Sequence, residues 1–333
     1  MKAVAAVKGN IMITDIDLGV LPDGHVRIRT EYSAISPGTE ITYIKRASEQ
    51  QGLLGYSAVG VIEQIGDNVT GLQLGQRVAC YGAPYVRHAE WLTVPANLTA
   101  VVPDHVRPED AAFAGLGAIA IHALRTADLR FGESTVIVGL GILGQMIAQI
   151  ASAAGFLVAG IDLNASRAEL LKQQGSGHAF VDQEQLEDRL GHLTGGHGAD
   201  SVILCASGPG EVLINRSLKW IRDKGKIVIV GDLSTEFSRG LMFGKEAEVL
   251  ISRAGGPGRY DVQYELENRD YPIGYVRWTE GRNIGEYVRL LAEKRIKVEP
   301  LISDIFSLER AEDAYRNYEQ PGNVMGTLLK YEK

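Results

Sequence analysis

Cysteine is scarce in this 333-residue chain, which contains only two, Cys80 and Cys205. Two thiols so far apart provide neither a disulfide framework nor a four-thiolate metal site. Each lies in an apolar run, R-V-A-C-Y-G or V-I-L-C-A-S. We therefore expect both thiols to be buried and chemically inert.

Long apolar runs and clusters of positive charge are also missing. No stretch approaches the ~20 apolar residues of a membrane span, and residues 1–7 lack the apolar core and cleavage site of a signal peptide. The net charge is -7 and Lys and Arg are scattered, so no basic face for nucleic acid is predicted. These absences favour a cytoplasmic protein that binds neither membranes nor nucleic acid, and the length suits two globular domains.

A strand, a glycine turn, a helix and a second strand ending in an acid follow one another in residues 135–162. The turn has the pattern G-x-G-x-x-G, with its glycines at Gly139, Gly141 and Gly144. This order predicts a dinucleotide site, because the glycines allow a tight turn, close approach of the pyrophosphate and close packing of the helix. The phosphates would lie at the helix N-terminus, beside Ile142 and Leu143, where free N–H groups favour anions.

The acid that ends the second strand, Asp162, indicates which dinucleotide binds. Its carboxylate can accept hydrogen bonds from both adenosine ribose hydroxyls and would repel a 2′-phosphate, so the sequence predicts NAD rather than NADP. Arg167 is expected over the adenine or near its ribose. A basic residue there can also favour NADP, and a solvated helix position is the alternative for this side chain.

Strand and helix patterns alternate after residue 134. Beyond the two strands of the glycine unit, four more are predicted, at 179–181, 201–205, 226–230 and 248–251. Six short strands with helices between them, such as 166–174 and 210–220, are typical of an α/β fold with a doubly wound parallel sheet. Ligands lie beyond the carboxyl ends of such strands, so Ser207 and Gly231 are predicted to line the cofactor crevice.

The two ends of the chain have a different pattern. Short strands and turns precede residue 110, and Pro108 with two acids after it opens a predicted helix that continues through 111–127. The chain closes with a helix at 284–294, a strand, a helix at 308–318 and a strand at 326–331.

An irregular stretch, residues 252–279, is unusually rich in aromatic residues and arginines. Long loops in compact domains are often functional, and four side chains are predicted to contact substrate: Arg259, Tyr260, Arg277 and Trp278. Guanidinium groups suit a carboxylate, a phosphate or vicinal hydroxyls, and the rings suit a sugar-like face. The alternative is that the aromatics pack the loop onto the surface and the arginines pair with Asp261, Glu265 or Glu267.

Several segments together resemble the medium-chain dehydrogenase/reductase superfamily, which contains the zinc alcohol dehydrogenases. They are the glycine unit of 139–162, S-P-G-T-E at 36–40, G-Y-S-A-V-G-V-I at 55–62, G-Q-R-V at 75–78 and the closing pattern of 308–329. The resemblance covers the whole chain. It implies a GroES-like, partly open β-barrel catalytic domain (1–116 and 255–333) around a Rossmann NAD-binding domain (117–254). It also implies a homodimer or homotetramer.

The zinc-dependent members of that superfamily hold the metal with a thiolate, an imidazole and a third ligand. At the matching positions this chain has Pro37 for the cysteine and Tyr56 for the histidine, and the third position falls near Gly115. Proline and glycine have no ligand atom and a neutral phenol is a poor ligand, so the resemblance implies a branch without zinc. A metal would need another set, such as His88 with Glu40.

Two groups within that superfamily share the S-P-G-T-E signature. They are the bacteriochlorophyllide a dehydrogenases and the dehydrogenase half of bacterial bi-domain oxidoreductases. The segments G-P-G-R-Y-D-V-Q-Y-E at 256–265 and Y-P-I-G-Y-V-R-W-T-E at 271–280 resemble the second group more than the first.

Without zinc, a side chain must handle the proton of the substrate hydroxyl. Tyr56 is the first candidate, although it could simply fill the hole left by the metal. Thr39 matches the hydroxyl residue that relays protons in the zinc enzymes, or else caps a turn. Glu40 would orient substrate hydroxyls or close a structural ion pair. His88 would exchange protons near the cleft or be structural.

These expectations predict an NAD-dependent oxidoreductase that interconverts a secondary alcohol and a ketone on a polyol, sugar or cyclitol-like small molecule. Two alternatives stay open. One is a double-bond reductase of the quinone-reductase type, which would prefer NADPH. The other is a catalytically silent NAD-binding protein that senses redox state or scaffolds a partner.

Overall fold

The chain, represented by a computed structural model, is described for residues 1–319 and 324–332. It divides into two compact units, one formed by Met1–Ala118 with Ala254–Lys333 and the other by Ile119–Arg253. The domain limits expected from the sequence stay a prediction, and residues 320–323 of the closing pattern lie outside the described residues. In the described part, no helix is both long and apolar enough to cross a membrane.

Strands and helices are numbered along the described chain. The strands are β1 (Lys2–Val7), β2 (Asn10–Asp15), β3 (His25–Ala34), β4 (Gly52–Leu53), β5 (Ser57–Ile65), β6 (Arg77–Tyr81), β7 (Trp91–Pro95), β8 (Thr99–Val101), β9 (Ser134–Val138), β10 (Leu157–Ile161), β11 (His178–Phe180), β12 (Ala199–Leu204), β13 (Ile221–Ile229), β14 (Glu248–Ile251), β15 (Ile302–Ser307) and β16 (Gly326–Lys330). The α-helices are α1 (Pro37–Arg46), α2 (Pro108–Ala111), α3 (Ala114–Ala127), α4 (Ile142–Ala153), α5 (Ala165–Gln173), α6 (Gln183–Leu193), α7 (Glu211–Trp220), α8 (Arg239–Lys245), α9 (Val262–Glu265), α10 (Glu280–Ala292) and α11 (Ala311–Arg316).

The unit of residues 119–253 contains the predicted parallel sheet. Its six strands lie in the order β11-β10-β9-β12-β13-β14, and every neighbouring pair is parallel. The central strand β9 is buried along its whole length. Its sequence is therefore a continuous β-branched run rather than an alternation of apolar and polar residues. Apolar residues of the sheet and of helices α6 and α7 form one core, including Val136, Leu186 and Leu218. The doubly wound α/β fold predicted from the alternation is confirmed.

The other unit is mostly antiparallel. Strands β15, β16, β3, β5, β6 and β8 follow one another in one sheet, with β7 also paired to β3, while β2, β1 and β4 form a second sheet. Strands from the two ends of the chain meet where β16 pairs with β3, with Leu328 opposite Ala34. Among its described residues, one buried cluster lies around Ile28 and Leu92 and another around Ile35. This is the GroES-like arrangement that the resemblance implied.

The helix predicted from Pro108 to residue 127 is interrupted, and a buried serine accounts for the interruption. The Ser57 hydroxyl donates to the carbonyl of Ala112 at 2.6 Å and accepts from the backbone N–H of Gly115 at 2.8 Å. Such side-chain bonds to backbone groups compete with helical ones. The chain therefore ends α2 at Ala111 and begins α3 at Ala114.

Smaller differences concern element ends and one thiol. The closing helix predicted at 308–318 is α11 flanked by 3-10 turns at Leu308–Arg310 and Asn317–Glu319. Within the loop 252–279, Asp261 caps the short helix α9 by accepting from the N–H of Gln263. Cys80 is buried as expected, whereas Cys205 is only half-buried, and both are free thiols.

Candidate active site

The glycine turn between β9 and α4 has the geometry that a bound pyrophosphate requires. Gly139 has φ +91°, a backbone conformation that L side chains rarely adopt. A Cβ on Gly144 would lie 1.9 Å from the carbonyl oxygen of Gly139, so only glycine lets the helix pack this close to the turn. Ile142 and Leu143 are the first residues of α4, where backbone N–H groups have no partner within the helix. A Cβ on Gly141 would meet only an Arg167 nitrogen, at 3.9 Å, apart from its chain neighbours, so that side of the turn is open.

Asp162 follows β10 and is already part of the turn. One carboxylate oxygen accepts from the backbone N–H of Leu140 at 2.7 Å, and the other from that of Asn164 at 2.8 Å. An Arg167 nitrogen lies 3.6 Å from the carboxylate. The sequence did not anticipate this pairing. It places the positive charge of Arg167 beside Asp162, and each carboxylate oxygen still has a lone pair for a ribose hydroxyl.

The turns after β12 and β13 lie side by side, which brings Ser207 and Gly231 to the same edge of the sheet as the glycine turn. The N–H of Gly208 donates to the carbonyl of Asp232 at 2.8 Å, and that of Gly231 to the carbonyl of Leu204 at 3.0 Å. A Cβ on Gly231 would lie 1.9 Å from the carbonyl oxygen of Ala206. Ser207 is exposed at this edge. The predicted cofactor residues of this unit therefore gather beyond the carboxyl ends of the strands.

Tyr56 in the other unit is held by the segment that begins α1. Its hydroxyl donates to the Ser36 hydroxyl at 2.5 Å, and its ring meets the Tyr81 ring edge-on at 5.7 Å between centroids. Burial raises the pKa of Tyr56 well above its usual value, against the hydrogen bonds from Ser36 and Thr39 that lower it. Tyr56 is therefore a neutral phenol at physiological pH, able to donate a proton to an oxygen beside it.

The residues at the zinc-ligand positions do not fit a zinc ion. Pro37 and Gly115 offer no ligand atom, and the Tyr56 hydroxyl is bonded to Ser36. A Cβ on Gly115 would lie 2.7 Å from the Tyr81 ring and 2.9 Å from the Ser57 Cβ, so those side chains occupy the space beside it. Within residues 1–319 and 324–332, no group of three or more His, Cys, Asp and Glu side chains could hold a metal ion.

His88 and Glu40 are bonded to each other in the interior. The His88 ring is 0% exposed, with one nitrogen 2.9 Å from the Glu40 carboxylate and the other 2.6 Å from the Ser33 hydroxyl. Glu40 also accepts from the Tyr315 hydroxyl and, at 2.7 Å, from the backbone N–H of Ser36. The position expected for His88 near a cleft is therefore corrected, because both ring nitrogens are used internally. Glu40 closes the structural pair and anchors Ser36, the partner of Tyr56.

The four loop residues predicted to contact substrate form two stacked pairs. The Arg259 guanidinium lies 4.2 Å from the Tyr260 ring centroid, and that of Arg277 lies 3.9 Å from the Trp278 ring centroid. Arg259 also pairs with Glu265 and donates to the Ala83 carbonyl at 2.6 Å. The predicted anion-binding role of Arg259 is corrected, because its charge is already neutralised by Glu265. Tyr260 and Arg277 are exposed.

Three residues that surround this site were not predicted from the sequence. Ser36 carried a weak signal, since it begins the S-P-G-T-E segment directly before α1. Tyr81 and Glu280 carried none, because they reach the site through the pairing of β6 with β5 and through the start of α10. Only the tertiary structure assigns these contacts.

Comparisons with known proteins agree with both units. Residues 22–127 match the family described as alcohol dehydrogenase GroES-like domain, and residues 143–268 match the family described as zinc-binding dehydrogenase. Sorbitol dehydrogenase 1 of Saccharomyces cerevisiae is 24% identical over 366 residues, covering 96% of this chain and 95% of that protein. D-guloside 3-dehydrogenase of Escherichia coli is 26% identical over 326 residues, covering 88% of each.

The fold itself recurs in solved structures. Alcohol dehydrogenase TADH from Thermus sp. ATN1 aligns over 100% of both chains with a TM-score of 0.81 and 22% sequence identity. That likeness shows the fold, and the two family matches, which together span most of the chain, show that the chain belongs to the medium-chain dehydrogenase/reductase superfamily of oxidoreductases.

Proposed function

We propose that this protein is a zinc-independent, NAD-dependent oxidoreductase that interconverts a secondary alcohol and a ketone on a polyol, sugar or cyclitol-like substrate. The observation that carries the proposal is the neutral Tyr56 hydroxyl at a zinc-ligand position, bonded to Ser36. The names of the relatives, a sorbitol dehydrogenase and a guloside dehydrogenase, support this substrate class. A homodimer or homotetramer in the cytoplasm remains the expectation.

The chemistry divides between the cofactor and this chain. The nicotinamide, when bound, supplies or accepts the hydride. In the direction of ketone reduction, the Tyr56 O–H, which donates to Ser36 in the structure, turns to the carbonyl oxygen and gives it a proton as negative charge develops there. Once the proton has left, the Ser36 hydroxyl can donate to the Tyr56 oxygen and, together with Thr39, stabilise the phenolate. The Glu40 carboxylate accepts from the backbone N–H of Ser36, which keeps Ser36 beside the Tyr56 hydroxyl.

Incubation of the purified enzyme with a panel of polyols, sugars and enones tests this proposal directly. Cofactor-linked turnover of alcohols or ketones would support it. Turnover of enones alone would indicate a double-bond reductase instead. Tight NADH binding without turnover of any compound would indicate a silent binding protein.

Zinc removal should leave the enzyme unchanged. Because Pro37 and Gly115 provide no ligand atom, we expect no stoichiometric zinc in the purified protein and full activity after treatment with a chelator. Elemental analysis and an activity assay before and after chelation measure both. One zinc per chain, with activity lost on chelation and restored by zinc, would contradict this expectation.

Cofactor preference should depend on the charge of Asp162. We expect NADH to bind at least ~10-fold more tightly than NADPH, about 1.4 kcal/mol, since a carboxylate repels the 2′-phosphate. Asp162→Asn keeps an acceptor for the Leu140 N–H but removes the charge, so the difference should shrink. Calorimetric titration of both cofactors measures it, with the exposed Asp188→Asn of α6 as the matched control. Tighter binding of NADPH to the unaltered protein would show that Arg167 outweighs Asp162.

A further inference from the structure

Glu265 binds two consecutive residues, the side chain of Arg259 and the backbone of Tyr260. One of its carboxylate oxygens pairs with the Arg259 guanidinium and also accepts from the backbone N–H of Tyr260 at 3.0 Å. A second Arg259 nitrogen donates to the carbonyl of Ala83 at 2.6 Å. The side chains of Arg259 and Glu265 are only 7% and 8% exposed. This buried, charge-assisted pair connects the loop 252–279 to the turn after β6.

Tyr260 is held in a conformation that costs free energy. Its φ is +67°, in the left-handed region that is a genuine outlier for a bulky side chain. Such backbone strain persists only where the surrounding structure imposes it. Here the Glu265 carboxylate bonds the N–H and the Arg259 guanidinium stacks on the ring at 4.2 Å. The result is an aromatic ring that is 58% exposed although its backbone is constrained.

This ring lies close to the proposed proton donor. The link runs through Arg259, whose guanidinium lies 4.2 Å from the Tyr260 ring centroid. The Arg259 guanidinium lies 5.9 Å from the Tyr81 ring centroid, and the Tyr81 ring lies 5.7 Å from that of Tyr56. Tyr56, Tyr81, Arg259 and Tyr260 therefore form one continuous group of side chains.

A second acid lies beside the pair and has no charge partner of its own. Glu280 is 0% exposed, and among the described residues no donor reaches its carboxyl oxygens; its side-chain neighbour is the Glu265 carboxylate, to which it can bond only by keeping its own proton. Glu280 and the Tyr81 ring both lie against Gly255. A Cβ added to Gly255 would be 2.6 Å from the ring and 3.0 Å from the Glu280 Cβ. One arginine cannot neutralise two buried carboxylates, and an unpaired buried charge is costly. Glu280 is accordingly the acid that keeps its proton.

We propose that Arg259, Glu265 and a protonated Glu280 form a buried clamp that positions Tyr260 to stack on an uncharged, hydroxylated substrate. Glu265 neutralises the Arg259 charge inside the clamp. The substrate therefore meets the aromatic face of Tyr260 and not a phosphate-binding cation. Arg259 and Glu265 act as positioning residues, and Tyr260 determines specificity. The inference rests on the proposed function, because it assigns the substrate face of that same site.

Steady-state kinetics on the best polyol or sugar of the panel test the clamp. Tyr260→Ala and Glu265→Gln should each raise KM by up to ~10-fold, the equivalent of about 1.4 kcal/mol, since an aromatic contact contributes on this scale. NADH affinity should stay unchanged in both. Tyr260→Phe keeps the ring and should recover most of the affinity that Tyr260→Ala loses. Glu267→Gln removes a surface carboxylate that pairs with Arg269 two residues along the chain, and it is the matched control.

Hydrogen exchange gives a readout that needs no substrate. The Tyr260 amide is bonded to Glu265, so peptides covering 259–265 should exchange faster in Glu265→Gln than in the wild type or in Glu267→Gln. An unchanged exchange rate together with an unchanged KM in Glu265→Gln would overturn the clamp. A wild-type enzyme without turnover would refute the proposed function, while the exchange rates would still decide whether Glu265 positions Tyr260.

The charge of the substrate is tested by paired compounds. For an active polyol, its phosphate ester should have the higher KM, because Arg259 has no charge left to offer it. A lower KM for the phosphate ester would overturn the assignment of an uncharged substrate.

Discussion

Replacing Tyr56 with phenylalanine is expected to lower kcat for ketone reduction by about 10²–10⁴-fold, the usual contribution of a general acid. The variant keeps the ring that packs edge-on against Tyr81 and removes only the hydroxyl that is bonded to Ser36. NADH affinity and thermal stability should therefore change little. Single-turnover measurements of NADH oxidation separate the chemical step from product release and give the rate constant of the chemical step in each variant.

The control for Tyr56→Phe removes a phenol hydroxyl elsewhere in the same unit. Tyr287 donates to the backbone carbonyl of Asp110 at 2.7 Å, so Tyr287→Phe loses one buried hydrogen bond without touching Ser36. It should lose some stability and keep the wild-type kcat. If Tyr56→Phe also keeps the wild-type kcat, Tyr56 merely fills the space of the missing metal, and the proton donor is another group.

Replacing Glu280 with glutamine is expected to remove a large pH dependence from the free energy of unfolding. Burial, with Glu265 adding to it and Arg259 opposing it, raises the pKa of Glu280 from 4.5 to about 9 in the folded protein. Between these values the folded state holds a proton that the unfolded state has released. The contribution of Glu280 to stability is therefore fully present below about pH 4.5 and is lost as the pH rises toward 9.

The size of this effect follows from the linkage relation, which gives about 1.4 kcal/mol for each pH unit inside the window. Between pH 6 and pH 8 the wild type should lose up to about 3 kcal/mol that Glu280→Gln retains, because the amide does not titrate. The other titratable groups that face Glu280 are the same in the wild type and the variant, so the difference between the two pH profiles reports on residue 280. These groups are Arg259, Glu265, Tyr81, Tyr85, Tyr264 and Tyr271.

Urea unfolding at pH 6, 7 and 8 measures this difference. Glu63 pairs with Arg29 at the surface, and Glu63→Gln is the matched control that should follow the wild type at every pH. Parallel pH profiles for the wild type and Glu280→Gln would show that Glu280 is ionised in the folded protein. That outcome would also remove the protonated acid from the proposed clamp.

Local pattern was sufficient to predict the parallel sheet and the cofactor turn. The β-branched run of β9, the three glycines and Asp162 lie within 28 consecutive residues, so their spacing carries the geometry. Gly139 and Gly144 show why: one needs a positive φ and the other a backbone contact at which a Cβ would be 1.9 Å from an oxygen. Such requirements are satisfied by glycine alone and are therefore visible in the sequence.

The same local reasoning failed where distant segments meet. His88 resembled a possible proton exchanger because its sequence neighbours say nothing of Ser33 or Glu40, which bury it. The predicted long helix from Pro108 is interrupted by Ser57, which lies 55 positions earlier than Ala112. Arg259 was predicted to bind an anion, and the alternative of a pair with Glu265 is the one that the structure contains.

What the sequence determined by itself is the superfamily, the two kinds of sheet and the glycine turn. What only the tertiary structure decided is the environment of the chemical groups. Tyr56 acquires Ser36 and Tyr81 as neighbours, and Glu280 becomes a buried acid beside the Glu265 carboxylate, through contacts between residues that are not adjacent in the chain. Proton affinity depends on burial and on neighbouring charge, and both are properties of the folded protein rather than of any short segment.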